Sequence, residues 1–577
     1  MSTETRPTTS TLPSSGLSGR RVALLLIGLL VMLAIVGTRT IWLQSVKNRT
    51  LTQYAEGQQQ NTQVLPAVRG DILDRNGAEL AIGEEAVTFA ADPTLIKDPA
   101  STALRVARIL DMSRVQEEGL IERLTSATGR FAYVARQIPR AKAKLLQDAK
   151  IPGISWSDEE RRMYPQGAVA GQLLGRVDID NKGLEGVEAL YDTSLTGKAG
   201  RQVVVRDPAG EPIDVLKLER ERDGRDVQLT VDAPLQTQAE LVLARTVKRF
   251  GADAATAIVM NPRTGEILAS AGVPRVNPSH WGDFPGKATK LRAVTDTYEP
   301  GSTFKIVALS GALEDKVVKP DTEFLLKPQL TFCNDNPRTC TVKESHSRGT
   351  EWFDTRRILV ESSNIGTITI AQKLGNKRYD EWVKRFGFGA STGIDFPGES
   401  AGIMKPLSEW SDVSIGNIPI GQGISVTPMQ LISAYAAIAN DGVAIQPHFL
   451  KRIGEETPAK YPSKRILSTS TAKTMRSMFE GVVTSDRGTG RAAGIKGYKV
   501  GGKTGTANVA ENGVYKKGKY IASFVGFVPV DNPQLVTLVV VNEPTSGVYG
   551  GESAAPAFEE ITEFALNRFS IPADGIL

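Results

Sequence analysis

Cysteine and histidine are nearly missing, with 2 Cys and 3 His among 577 residues. So few thiols and imidazoles exclude a disulfide scaffold and a ligand-rich metal cage, and neither a metal nor a cofactor is expected. An excess of one charge is missing too. Lys and Arg number 69 against 64 Asp and Glu, a net of +5, so no basic field marks nucleic acid as a partner. With 41% hydrophobic and 23% charged residues the chain is composed like globular domains, not like disordered or collagenous ones. Any catalysis must come from hydroxyls, amines and carboxylates.

Long apolar runs are also missing, with one exception. Val22 to Thr38 reads VALLLIGLLVMLAIVGT without a charge, enough helix at 1.5 Å per residue to approach the roughly 30 Å hydrocarbon core. Arg39 can snorkel while Ile41, Trp42 and Leu43 continue the apolar face. The span is therefore placed at 22–46, after a tail over 1–21 whose Ser/Thr-rich part, Met1 to Ser18, reads as disordered. A cleaved signal peptide has a shorter apolar core and small residues at its cleavage site, whereas Gly37-Thr38-Arg39 stands here. Flanking charges are nearly balanced, Arg6, Arg20 and Arg21 against Arg39, Lys47 and Arg49. No second apolar run follows, so everything after the span lies on one side of the membrane. Cys333 and Cys340 bracket NDNPRT, whose turn formers bring the thiols within disulfide reach across a hairpin neck. A bridge there would mark an oxidising compartment; two reduced cysteines are the alternative.

After the anchor, residues 47–225 mix short strand-like runs with turns and read as an elongated spacer or docking domain. Asn76-Gly77 closes a hairpin within RGDILDRNGAELAI, and Ala103 to Leu124 is predicted as one helix. Arg69-Gly70-Asp71 imitates an adhesion tripeptide but reads as a turn before a strand. DIDNKGLEGVE imitates a calcium loop through Asp178, Asp180 and Gly183, but Lys182 and Ala189 occupy ligand positions. From Asp226 the texture changes. VQLTVD is a strand, Ala233 to Phe250 a helix, and ATAIVMNPRTGEILASAG a hairpin turning at Pro262 to Gly265. YIASFVGFVP and LVTLVVVNEP are two further strands, so an α+β domain with an antiparallel sheet flanked by helices is predicted over 226–577.

The chemistry lies in YEPGSTFKIVALSGALE. Pro300-Gly301 breaks the preceding segment, Ser302 starts a helix, and Lys305 lies on the same face one turn on. A serine hydroxyl is a poor nucleophile until a base takes its proton, and Lys305 can be that base once neutral. Burial and a second cation both lower a lysine pKa, so a second lysine is required nearby. One S-x-x-K is weak. The informative feature is an ordered set: Ser302-Thr303-Phe304-Lys305, then Ser362-Ser363-Asn364, then Lys503-Thr504-Gly505-Thr506. Taken singly, Ser-Ser-Asn also suits a helix cap and Lys-Thr-Gly-Thr a strand end.

With these motifs stand RGDILDRNG, RRMYPQG, GLEGVE, ESSNIG, GQGISVTPMQL, GKTGTA and YGGESAAPAF. On them the chain resembles the class B penicillin-binding proteins, and within these the division-type, FtsI-like D,D-transpeptidases. The resemblance implies a penicillin-binding, β-lactamase-like transpeptidase domain on an amino-terminal pedestal or dimerisation-type domain. It implies that Ser302 attacks the penultimate D-Ala carbonyl of a peptidoglycan stem peptide, derived from lipid II, releasing the last D-Ala and leaving an acyl-enzyme. Lys305 would take the serine proton, Ser362 relay one to the leaving amine, and Asn364 hold Lys305 and the donor amide. Lys503 would be the second cation, and Thr504 and Thr506 would grip the terminal carboxylate. Gly505 would let the substrate backbone approach. The N–H groups of Ser302 and Thr506 would form the oxyanion hole. Gly421 to Gly423 reads as a tight turn before a helix near Pro428 that can line the cleft.

The resemblance further implies a single-pass protein of the cytoplasmic membrane with an extracytoplasmic catalytic domain. Partners would be an FtsW/RodA-type glycosyltransferase, divisome proteins and, as inhibitors, β-lactams. An elongation-type enzyme is the alternative within the family. A class A β-lactamase would need its water-activating Glu before Lys503, whereas Glu563 to Asn567 follows it. A membrane β-lactam receptor would need further spans or an output domain.

Overall fold

The computed structural model describes residues 19–45, 60–126, 129–206, 212–331, 341–345, 347–411, 413–511 and 514–574. Met1 to Ser18, Val46 and both cysteines, Cys333 and Cys340, lie outside the described residues. The chain forms two compact units, Met1–Pro66 with Ala199–Glu221, and Ala67–Lys198 with Arg222–Leu577.

In the first unit, helix α1 (Gly19–Ser45) runs 27 residues, about 40 Å at 1.5 Å per residue, with none of them buried. Its long apolar side chains are exposed all round, as a lipid-facing span requires. Three antiparallel strands, Gln60–Leu65, Gly200–Arg206 and Pro212–Glu219, complete this unit.

The second unit opens with the predicted hairpin, β1 (Ile72–Leu73) against β2 (Glu79–Ala91). Its turn is made locally. The Asp74 carboxylate accepts the N–H groups of Asn76 and Ala78, and Gly77 takes φ +88°. β2 pairs on with β3 (Ala132–Pro139) and β4 (Ile154–Met163). The single helix predicted over 103–124 is instead two, Pro99–Leu110 and Arg114–Ser126. Asp111 breaks it at φ +55°, where its N–H and that of Met112 both return to the Ala107 carbonyl. Ser113 then restarts the helix, exchanging bonds with Gln116.

Three of the quoted motifs converge in this region on one buried carboxylate. Glu188 of GLEGVE accepts Arg69 Nε and Nη2 at 3.0 and 2.7 Å and Arg162 Nε at 2.6 Å. Arg69 also donates to Asp192 at 2.7 Å. The tripeptide Arg69-Gly70-Asp71 thus holds the fold together, its arginine 3% exposed. In the calcium-like loop, the Asp178 carboxylate is taken by the N–H groups of Asp180 and Lys182.

The catalytic-type part is the predicted α+β arrangement. β1 continues in parallel into β5 (Val227–Leu229), after which Asp232 caps helix α2 (Ala233–Phe250) and Gly251 ends it at φ +58°. Five antiparallel strands follow, β6 (Ala254–Met260), β7 (Ile267–Val273), β8 (Gly501–Glu511), β9 (Val514–Val528) and β10 (Leu535–Asn542), in the order β7-β6-β10-β9-β8. Side chains alternate between two cores, as strand geometry dictates. Ala255, Ala257 and Val259 of β6 face α2 and the carboxy-terminal helix Gly550–Arg568. Ile258 and Met260 face the larger core, which holds the helix after Ser302 and the helix Pro428–Ala439. Each fully buried Val, Ile or Leu contributes about 1.5 to 3 kcal/mol. β8 is the edge strand, so its Lys-Thr-Gly-Thr run stands at an open margin of the sheet.

Removing the buried carboxylate should leave two guanidinium groups without it. Glu188→Ala is expected to destabilise the second unit by about 3 to 5 kcal/mol in denaturant unfolding; unchanged stability would show that the arginines need no partner there.

Candidate active site

The turn that carries Ser302 follows from its sequence. Pro300 blocks helix continuation, Gly301 takes φ +56°, and Gly301–Phe304 form a 3₁₀ turn before helix α3 (Lys305–Glu314). Lys305 is therefore the first α-helical residue, with Ser302 in the turn ahead of it. Thr303 Oγ1 donates to the Pro300 carbonyl at 2.8 Å, and Tyr435 Oη to the Thr303 carbonyl at 2.8 Å. Tyr435 belongs to the buried helix Pro428–Ala439, so the turn rests on a rigid support.

Glycines bring this turn against β8. A Cβ on Gly301 would stand 2.6 Å from the Thr506 carbonyl oxygen and 3.3 Å from its nitrogen. A Cβ on Gly505 would meet Ser523 Oγ at 2.3 Å and the Pro300 carbonyl at 2.9 Å. Gly505 is thus needed for the protein's own turn to sit on the strand, since its side-chain position faces Ser523, Pro300 and Thr303. Gly421, at φ +77°, meets the same turn from the other side, where its carbonyl accepts Gly301 N–H at 3.1 Å. Next to it, Ile420 and Gln422 line the cleft.

The third element is the turn before helix α4 (Asn364–Leu374). Ser362 holds φ +58°, a left-handed backbone that costs of order 1 to 3 kcal/mol in a non-glycine residue. In that conformation both its oxygens meet Lys305, the carbonyl at 2.6 Å and Oγ at 3.2 Å. Asn364 Oδ1 accepts from the same amine at 2.8 Å. Lys503 reaches over from β8 and donates to Ser362 Oγ at 2.9 Å. Ser363, not Ser362, is the helix cap, its Oγ accepting Gly366 N–H at 3.0 Å.

The two amines thus meet at Ser362, whereas the sequence placed them around Ser302. Ser302 is half-buried and lines the same cleft, a cavity of about 480 Å³ that Ser362, Asn364, Thr504 and Thr506 also line. Thr504 Oγ1 lies 2.8 Å from Thr489 Oγ1, and Thr506 Oγ1 accepts Gly550 N–H at 3.2 Å. The seven motif side chains and the backbone of Gly505 are brought into one place.

Burial governs the charge here. Lys305 and Lys503 are both fully buried. Desolvation pushes Lys305 down to about 7, against the pull of the Glu344 carboxylate. Desolvation, then repulsion from Lys305, hold Lys503 well below the usual lysine range. A hydroxyl between two such amines can accept from one and donate to the other. That is a path for a proton.

Sequence reasoning missed Glu344. Burial works to raise its pKa, but Ser363 Oγ at 2.6 Å, Arg348 at 2.5 Å and Asn364 N–H at 2.9 Å outweigh that and keep it low. Nothing in TVKESHSRG signals this position. Tyr549 and Gly551, within the quoted YGGESAAPAF, also line the cleft.

Adding a methyl at the strand should force the turn away from it. Gly505→Ala is expected to cost about 1 to 3 kcal/mol in denaturant unfolding; a neutral effect would mean that the turn and strand are not in the contact described.

Comparison with known proteins places this arrangement. Residues 255–563 match the penicillin-binding protein transpeptidase domain, and residues 64–229 the penicillin-binding protein dimerisation domain. Stage V sporulation protein D of Bacillus subtilis is 34% identical over 96% of this chain and 86% of its own length. Peptidoglycan D,D-transpeptidase FtsI of Escherichia coli is 31% identical over 96% of this chain and 93% of its own. The crystal structure of penicillin-binding protein 3 from Mycobacterium tuberculosis, complexed with aztreonam, has a TM-score of 0.69 at 28% identity, covering 89% of this chain and 98% of that one. The chain belongs to the class B penicillin-binding proteins, with FtsI-like division types among its relatives.

Proposed function

We propose that the protein is a serine-type peptidoglycan D,D-transpeptidase that works in septal wall synthesis, anchored in the cytoplasmic membrane by α1 with its catalytic part outside the cell. The observation that carries this is the Ser362 hydroxyl held by two buried amines in the cleft that Ser302 lines. Neutral Lys305, three residues after Ser302, takes the serine proton as the oxygen attacks the penultimate D-Ala carbonyl. Ser362, bonded to Lys305 and Lys503, passes a proton to the departing D-Ala nitrogen. Ser302 and Thr506 N–H groups receive the developing oxyanion, a contribution of about 10² to 10³ in rate per donor. The hydroxyls of Thr504 and Thr506 hold the terminal carboxylate. An amine from a second stem then displaces the serine, and a crosslink results.

Strand polymerisation is assigned to a membrane glycosyltransferase of the FtsW/RodA type, with divisome proteins as further partners. β-Lactams occupy the same cleft as mimics of the donor, in line with the aztreonam complex of the relative. Similarity to FtsI over nearly the whole chain supports the division reading. We infer a domain division at 47–225 and 226–577, a reading supported by family matches over 64–229 and 255–563. A Cys333–Cys340 bridge suits the oxidising side of the membrane, and the flanking strands pair antiparallel with Thr331 opposite Thr341.

Ser302→Ala should abolish covalent labelling by fluorescent penicillin while thermal unfolding stays near that of the unaltered protein. Stoichiometric labelling of the folded variant would place the nucleophile elsewhere.

A further inference from the structure

The hairpin of β8 and β9 runs on beyond the sheet. β9 pairs with β10 only over Ile521–Val528, whereas its pairing with β8 continues from Tyr520 opposite Asn508 out to Val514 opposite Glu511. This outer part is a two-stranded arm, and it directly extends the strand that bears Thr504 and Thr506. Two strands alone are marginally stable in water. Val514 is 70% exposed and the residues from Val514 to Lys519 are all exposed, so apolar burial holds little of the arm. On the β8 side, Val509 packs against the larger core beside a register shift between Asn508 and Ala510. On the β9 side the tie is polar.

That tie is Tyr515. Its hydroxyl donates to the Glu299 carboxylate, 3.0 Å from Oε2 and 3.2 Å from Oε1, and Oε1 also accepts Gly423 N–H at 2.8 Å. Glu299 stands three residues before Ser302, and no step of the chemistry above uses it. Its neighbours are anchored. Tyr298 exchanges backbone bonds with Val426 at 3.0 and 2.9 Å, and Gly301 N–H reaches the Gly421 carbonyl. The half-buried carboxylate therefore sits on a fixed backbone where three segments meet, the Ser302 turn, the cleft loop over 421–426 and the arm. Burial raises the Glu299 carboxyl above the ordinary range, against the two bonds that favour the ion. A hydrogen bond to an ionised acceptor is roughly twice as strong as one between neutral groups. Such a bond can fix the angle of an otherwise marginal arm, and β8 passes that angle back to Thr506, whose N–H receives the oxyanion in the transpeptidase mechanism on which this inference rests.

We propose that Glu299 and Tyr515 form a latch that positions β8 against the Ser302 turn, so that the oxyanion donor on Thr506 stands where acylation needs it. Glu299 is a positioning residue. It acts through the arm and the cleft loop and touches no reacting atom. Misplacing a reacting group by about 1 Å can cost about 10²-fold in rate. The loss belongs to the covalent step, because the oxyanion forms only as Ser302 attacks.

The test uses the full-length protein and fluorescent penicillin, its concentration varied so that non-covalent affinity and the rate of the covalent step are obtained separately. The unaltered chain is compared with Tyr515→Phe, which removes one hydroxyl from the exposed arm, with Glu299→Ala and with the double variant. Thermal unfolding and the fraction labelled at completion count the folded sites. Each single variant should slow the covalent step about tenfold or more per folded site. The double variant should be no slower than Glu299→Ala, since both changes break one contact. A covalent step unchanged in Tyr515→Phe, or losses that multiply in the double variant, would overturn the latch. Losses confined to unfolding temperature and labelled fraction would overturn it as well, by reducing Glu299 to a structural part. An unaltered protein that penicillin does not acylate would instead overturn the transpeptidase reading, and the latch with it.

Discussion

The structure turns on one hydroxyl between two amines that have nowhere to put two charges. Lys305 and Lys503 both reach Ser362 Oγ in a fully buried setting. A buried ammonium costs several kcal/mol even after relaxation, so neighbouring lysines shed protons instead of carrying both charges. The low pKa of both lysines is thus a result of packing and not of any special lysine chemistry. Glu344 limits the effect, since its carboxylate favours the charged form of Lys305. Burial wins over that pull.

Everything that surrounds this contact serves to hold three chain segments together. Gly301, Gly421 and Gly505 remove the methyl groups that would separate the Ser302 turn, the cleft loop and the edge strand. The left-handed backbone of Ser362 is the strained part, and it turns a carbonyl and a hydroxyl onto the same amine. The five-stranded sheet supplies rigidity through its two-faced core, with β8 kept at the margin where a substrate can reach it. Toward the amino terminus, Glu188 does for the pedestal segments what Ser362 does for the site, joining Arg69 and Arg162 from far along the chain.

Local rules made much of this legible. The Asn76-Gly77 turn, the capped helix after Asp232 and the β6–β7 hairpin depend on neighbours in sequence, and residue pattern suffices for them. The three motifs of the site were legible only as a set, through resemblance, because no spacing along the chain reveals that Lys305 and Lys503 meet. What pattern could not show has two causes. The break at Asp111 is a single residue in a left-handed conformation inside an otherwise continuous helical pattern. The seat of both amines on Ser362 and the placement of Glu344 are tertiary contacts between distant segments. Arg69 carried a misleading local pattern, and only its distant partner Glu188 explains it.

The central claim concerns proton affinity, and NMR titration of lysine side-chain nitrogens in the ¹⁵N-lysine-labelled protein measures it most directly. The account predicts a buried lysine titrating near 7, assigned to Lys305, with Lys503 also well below the ordinary 10.5. Two lysines at this site titrating at or above 10.5 would contradict it.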